Sequence, residues 1–289
     1  MKSVPADHPY RDFEHGGWER AANAYAATFE AVTRLFAAAL LDAVAVRSGS
    51  QVLDVACGTG FATVMAAGRG TKAMGVDFSA RMIAEATRRH PELVFHEADA
   101  EALPFDDGHF DAVVINFGVH HFPFPRRALS EAHRMLRFGG RVGFTVWASP
   151  DEHALHPIVL DAVREAGDAG ASLPVPPEGG VNDAATCIRL LVEAGFDSAA
   201  VRAETLSAVL RLDAVADLVD LLERGTVRLA ALIGSQPRDK SAAILAGIER
   251  AAAKFQRNGR LEIPVVAILA VATRATATDH EHEPNHHPA

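Results

Sequence analysis

Cysteine is nearly absent: Cys57 and Cys187 are the only two in 289 residues. Two thiols cannot build the multi-bridge framework of a small secreted scaffold, so a reducing, cytoplasmic setting is expected. Positive charge is the minority sign, with 28 Lys and Arg against 37 Asp and Glu and a formal net charge of -9. Nucleic acid and anionic membrane surfaces select basic faces, which excludes them as general partners. The beginning of the chain lacks the basic and apolar blocks of a secretory signal. Long apolar runs are missing too. VVAILAVA, Val265 to Ala272, falls far short of the ~20 residues that a membrane helix needs. These absences leave a soluble chain, a monomer or homodimer, long enough for one large α/β domain with additions and suited to a small-molecule partner.

What is present is a rhythm. ERAANAYAATFEAVTRLFAAALLDAV, within residues 1–46, has apolar residues at helical spacing and predicts one or two helices. From Gln51 the strands QVLDVA, KAMGVDF, LVFHEAD, FDAVVINF and RVGFTVWA alternate with helical segments. Ser79 is placed to cap the helix SARMIAEATRRH, and Gly139 and Gly140 are expected to end the helix PRRALSEAHRMLRFGG. Such alternation predicts a parallel sheet covered on both faces.

Beyond Pro150 the pattern loosens. DEHALHPIVLDAVREAGDAG and AATCIRLLVEA read as helices around the Pro/Gly-rich break SLPVPPEGG, and AAVRAETLSAVLRLD has strand character. Residues 213–258 read as helical, with an apolar stripe at Val215, Leu218, Val219 and Leu222, before the strand LEIPVVAILAVATR. If that strand rejoins the sheet, 213–258 is an insertion that can cover the strand ends or serve as a dimer contact. Such a stripe is more often that of ordinary helix packing or a dimer contact. The polar tail, 275–289, is expected to be disordered, with its four histidines a less favoured metal site.

The chemistry concentrates in DVACGTGFAT, Asp54 to Thr63. Gly58 and Gly60 allow close backbone approach at the end of the first strand, where open parallel sheets bind ligands. A dinucleotide site wants Gly or Ala at the third glycine position, which Thr63 occupies. Asp54 would repel a pyrophosphate but can face an ammonium group, which favours S-adenosylmethionine (SAM) over NAD. Asp77, at the end of the second strand, can accept from both ribose hydroxyls. Asp99, at the end of the third, can accept from the adenine amino group while the Ala100 amide donates to the ring. One such Asp is more often a turn former; three on successive strands form a pattern.

VLDVACGTG, GVDFSARMIAEA, ADAEALPFDDGHFDAVV and FGVHHFPFPRRALSEAHRMLRFGGRV together resemble the class I SAM-dependent methyltransferases. The similarity is to the small-molecule branch that includes the ubiquinone and menaquinone C-methyltransferases, strong over 47–148 and weak elsewhere. It implies a Rossmann-like, mostly parallel seven-stranded α/β sheet with an antiparallel last strand, plus a helical lid. The core would comprise 47–212 and 259–274, with 1–46 and 213–258 as covers. It further implies that Asp54, Ala56, Gly58 and Gly60 hold the methionine part and that Asp77 holds ribose. Phe78 and Met82 would pack on adenine, Asp99 and Ala100 would select it, and Asn116 would offer its backbone to the ammonium group. Tyr25 resembles a lid aromatic of these enzymes, with helix packing an equal explanation. Phe124-Pro125 and Arg137-Phe138 depart from the relatives' usual Asp and Lys-Pro, which bears on the substrate more than on the cofactor.

His120 and His121 are the candidate bases, with at most one expected to face the acceptor, because adjacent side chains diverge. The lid's apolar stripe and SLPVPPEGG suit an aromatic, polyketide-like or terpenoid acceptor. Asn116-Phe-Gly-Val lacks the Pro-Pro-aromatic sequence of DNA amino-methyltransferases. Asp151 and Glu152 are the only carboxylates just past the fifth strand, so no metal is invoked. The rival readings are a SAM-binding protein without transfer and, more remotely, an NAD-dependent oxidoreductase.

Overall fold

A computed structural model describes residues 8–168 and 173–275. The tail from 276 onward, with its histidines, lies outside the described residues. Two helices come first, α1 (Pro9–Tyr25) and α2 (Glu30–Ala43), followed by β1 (Gln51–Val55), α3 (Phe61–Ala67), β2 (Lys72–Asp77), α4 (Ala80–Arg89) and β3 (Val94–Glu97). Next come β4 (Phe110–Asn116), a single 3-10 turn at Val119–His121, α5 (Pro125–Met135), β5 (Leu136–Trp147), α6 (Leu155–Ala166), α7 (Ala184–Glu193) and β6 (Val201–Leu212). Three helices, α8 (Val215–Gly225), α9 (Arg228–Gly234) and α10 (Arg238–Ala253), separate β6 from the short β7 (Gln256–Arg257) and the long β8 (Arg260–Thr273).

The sheet order is β3-β2-β1-β4-β5-β8-β6, with β7 hairpinned onto β8. The pairs from β3 to β5 are parallel, whereas β8 runs antiparallel to both β5 and β6. The last strand is thus the reversed one, and β7 adds a two-residue pair beyond the seven main strands. The order reverses between β1 and β4, where a crevice opens beyond the strand ends.

Period-two alternation explains the two-sided burial. Leu53, Val113 and Ile115 face a core with Leu129, Met135, Leu190 and Leu191 of α5 and α7. Val52, Ala112 and Val114 face Leu40, Leu41 and Ala66 of α2 and α3 on the other side. A third cluster joins Leu155, Ile158 and Val159 of α6 to Leu218, Leu221 and Leu222 of α8, Ile244 and Ile248 of α10, and Ile263 and Val265 of β8. Leu218 and Leu222 of the apolar stripe are therefore consumed by internal packing. Helices α6 and α10 cross so closely that a Cβ on Gly247 would lie 2.9 Å from Ala162 Cβ. Cys57 and Cys187 are free and buried. No single helix among the described residues is long and apolar enough to cross a membrane.

The helix expected to run to Gly139-Gly140 stops at Met135, and β5 begins at once with an irregularity in its pairing to β4. The cause is tertiary. Arg274, at the end of β8, donates from Nη1 to the carbonyls of Arg134 and Leu136, and its backbone exchanges hydrogen bonds with Gly139 and Gly140. Those bonds take the backbone groups that another helical turn would need.

Candidate functional site

The loop after β1 is shaped by positive φ angles. Ala56 (56°), Gly58 (54°) and Gly60 (86°) all lie in the left-handed region, as does Phe117 (58°) after β4. For Ala56 and Phe117 that conformation costs on the order of 1–3 kcal/mol each, and such strain clusters where a backbone is shaped for a ligand. Gly60 has a different task. A Cβ there would lie 2.8 Å from the Phe95 ring, so this glycine serves the turn and the packing under α3.

A narrow slot opens beyond the ends of β1, β2 and β4. Its walls include Tyr25, Ala56, Gly58, Asp77, Phe78, Met82, Asp99, Ala100, Asn116 and His121. Ten of the residues singled out in the sequence thus surround one space. Asp54 and Gly60 are not among its wall residues, and neither is His120. Asp77 is buried; its Oδ2 accepts from Gly58 N at 2.9 Å and its Oδ1 from Ser79 N at 2.9 Å. Burial pushes its carboxyl up to about 6 against the pull of those two amides. Asp54 is deeper still. Its Oδ2 accepts from Thr63 Oγ1 at 2.7 Å, its Oδ1 has no hydrogen-bond partner, and burial pushes its carboxyl up to about 7. An unpaired buried carboxylate oxygen is costly in isolation, and a cationic ligand would offset that cost. Thr63, read as a departure from a glycine motif, is what holds Asp54. Asn116 has its side chain occupied, Nδ2 donating to Thr33 O and Oδ1 accepting from Thr145 Oγ1.

A second cavity, of about 510 Å³, adjoins the slot, and Trp18 and His121 line both. Its other walls include Tyr10, Phe29, Trp147, His120, His156, Val227 and Arg228. His120 faces this cavity alone. Burial, reinforced by His121, holds its imidazole well below the usual range, so it is neutral, and its Nδ1 has no partner. His156 pairs with His153 at 2.6 Å, beside Trp147. Burial holds both of these imidazoles low as well. Tyr25 lines the slot, with its hydroxyl 2.9 Å from Thr33 Oγ1 and its ring edge-on to Trp18.

The family model of a methyltransferase domain matches residues 53–144. Residues 53–144 are thus similar to that family's domain. Over 117 residues the chain is 44% identical to demethylmenaquinone methyltransferase of Beutenbergia cavernae, covering 40% of this chain and 49% of that protein. It is 45% identical over 103 residues to the ubiquinone/menaquinone biosynthesis C-methyltransferase of Rhizobium johnstonii, covering 32% and 40%. The chain thus spans about half the length of the curated relatives that it matches, or less. Among solved structures, YcgJ protein of Bacillus subtilis aligns with a TM-score of 0.54 at 19% identity, over 83% of this chain and 98% of that one, a likeness of fold.

Most of the slot's wall residues lie within 53–144, whereas Arg11, Trp18 and Tyr25 come from α1. Arg11 of α1 donates to Asp99, and its Nη2 lies 2.9 Å from Glu101 Oε2. Glu19 Oε1 accepts from Ser79 Oγ at 2.6 Å and from Arg81 N at 3.1 Å. Glu14, fully buried, lies 2.9 Å from His121 Nδ1. Sequence reasoning missed Arg11, Glu14 and Trp18. The available signal was the load of charged and aromatic side chains in PYRDFEHGGWER.

Proposed function

We propose that this chain binds SAM in the slot of the methyltransferase domain and transfers its methyl group to a small, ring-bearing acceptor held in the adjoining cavity. One observation carries the reading: a carboxylate-rimmed slot and an aromatic-walled cavity meet at Trp18 and His121. The unpaired Oδ1 of Asp54 suits the ammonium end of SAM, and Asp77 retains lone pairs for ribose hydroxyls. Phe78 and Met82 offer apolar surface to adenine beside Asp99 and Ala100. The quinone-methylating names of the relatives point to the same acceptor class.

Bound SAM supplies an activated methyl group on a sulfonium, so the chain's own task is placement and proton removal. Trp18, Phe29 and Trp147 can sandwich a planar acceptor, and fixing it in line with the methyl group can contribute ~7–11 kcal/mol toward the barrier. His121, at the junction, is the group placed to take a proton, an effect of about 10²–10⁴ in rate. In this reading 1–46 and 213–258 cover the two cavities and exclude water, with 47–212 and 259–274 as the core.

The test is S-adenosylhomocysteine release from SAM with pools of small ring-bearing acceptors and a cell extract. Acceptor-dependent release is expected. Tight SAM binding with no release across those pools would favour a SAM-binding protein that does not transfer.

A further inference from the structure

Glu14 is fully buried on α1, a helix with no recognisable motif. Its Oε2 lies 2.9 Å from His121 Nδ1, while Oε1 has no hydrogen-bond partner and stands 3.6 Å from Arg228 Nη1. Glu14 is thus taken out of water for one hydrogen bond and one ion pair to a partly exposed guanidinium, a weak way to stabilise a helix, because the desolvation penalty can exceed the Coulombic return. The His121 ring is further fixed by the edge of Trp18, 5.0 Å between centroids, and by His120 at 4.1 Å. Both cavities reach that ring.

We propose that Glu14 is a positioning residue for His121. It holds the proton of the neutral imidazole on Nδ1 and leaves Nε2 as the proton acceptor where the two cavities meet. This inference rests on the methyl-transfer reading above. The acceptor atom, an oxygen or an acidic carbon, forms its bond to the methyl carbon as the sulfur–methyl bond breaks, and that bond's electron pair stays on sulfur. His121 Nε2 takes the acceptor's proton, and the imidazolium so formed faces the Glu14 carboxylate. The base is then complete only when α1 is seated, through the contacts of Arg11 with Asp99 and Glu101 and of Glu19 with Ser79 and Arg81.

The experiment is nitrogen NMR of the full chain, ¹⁵N-labelled at histidine and saturated with S-adenosylhomocysteine, at a pH that leaves the rings neutral. His121→Gln assigns the resonance by its disappearance. Neutral His121 is expected as the Nδ1–H form in about tenfold excess or more, the weight of one hydrogen bond to a charged acceptor. Glu14→Gln, which keeps the shape without the charge, is expected to return the ring toward the Nε2–H form that predominates in water. A wild-type ring that is mainly Nε2–H overturns the proposal, with no variant needed. So does a tautomer ratio unchanged in a folded Glu14→Gln protein. Failure to bind S-adenosylhomocysteine at all would instead strike the methyl-transfer reading, so the two failures are distinct.

Discussion

Asp54 should be a residue that the empty protein would be more stable without. Its carboxyl is 1% exposed, one oxygen is unpaired, and burial pushes it from 3.8 up to about 7. At about 1.4 kcal/mol per pH unit, that difference corresponds to roughly 4 kcal/mol against folding once the group is ionised. The sign follows from the raised value: Asp54 is harmless to stability below the unfolded pKa, and its penalty grows as pH rises through the folded one. Asp54→Asn removes the charge, keeps an oxygen for Thr63 Oγ1, and leaves an unpaired N–H in place of Oδ1 at about 1–3 kcal/mol. Urea unfolding of the ligand-free variant should therefore show a gain on the order of 1–3 kcal/mol near pH 8 and a loss near pH 4. If Asp54 attracts the ammonium group of SAM as proposed, calorimetry should show SAM binding weakened at least about tenfold. A variant less stable than the wild type at pH values near 8, or one that binds SAM undiminished, would refute the reasoning.

Other consequences are simpler to check. Ser79→Ala removes both the cap to Met82 N at 3.1 Å and the partner of Glu19, and should cost about 1–2 kcal/mol in urea unfolding. Gly17→Val should unseat α1, because even a Cβ at Gly17 would lie 2.2 Å from Val227 Cγ1. Hydrogen exchange should then accelerate in α1 but not in β1 or β4, with partial rescue by Val227→Ala. His153 and His156 are held neutral by burial, so their contribution is present above the ordinary histidine value of about 6.5 and is lost as pH falls below it. Replacing both with Gln should flatten the acid limb of the stability profile relative to the wild type.

Much of the fold was legible because its signals are local. Alternating apolar runs, Ser79 ahead of a helix and Gly58 and Gly60 after a strand all report on nearby residues, and the crevice follows from sheet topology. Asp54 was legible for a related reason, since an acidic residue within a buried strand is costly and calls for a purpose. The end of α5 was not, because Arg274, far along the chain, takes its backbone groups. Arg11 and Glu14 escaped notice in the same way: their partners Asp99 and His121 lie 88 and 107 residues away, and α1 carries no motif. His120 and His121 stood out as a pair, but only their three-dimensional setting separates a buried ring facing one cavity from a tethered ring facing two. Gly60 was recognisable as a turn residue, while its packing against Phe95 required the third strand.

The slot should take a cationic sulfonium nucleoside and not a pyrophosphate dinucleotide. Calorimetry of the full chain with SAM and NAD, on the wild type and Asp77→Ala, tests it most directly. SAM binding by the wild type is expected, with at least about tenfold weaker binding by the variant, from the hydrogen bonds of a charged acceptor, and no NAD binding. NAD binding without SAM binding would contradict it.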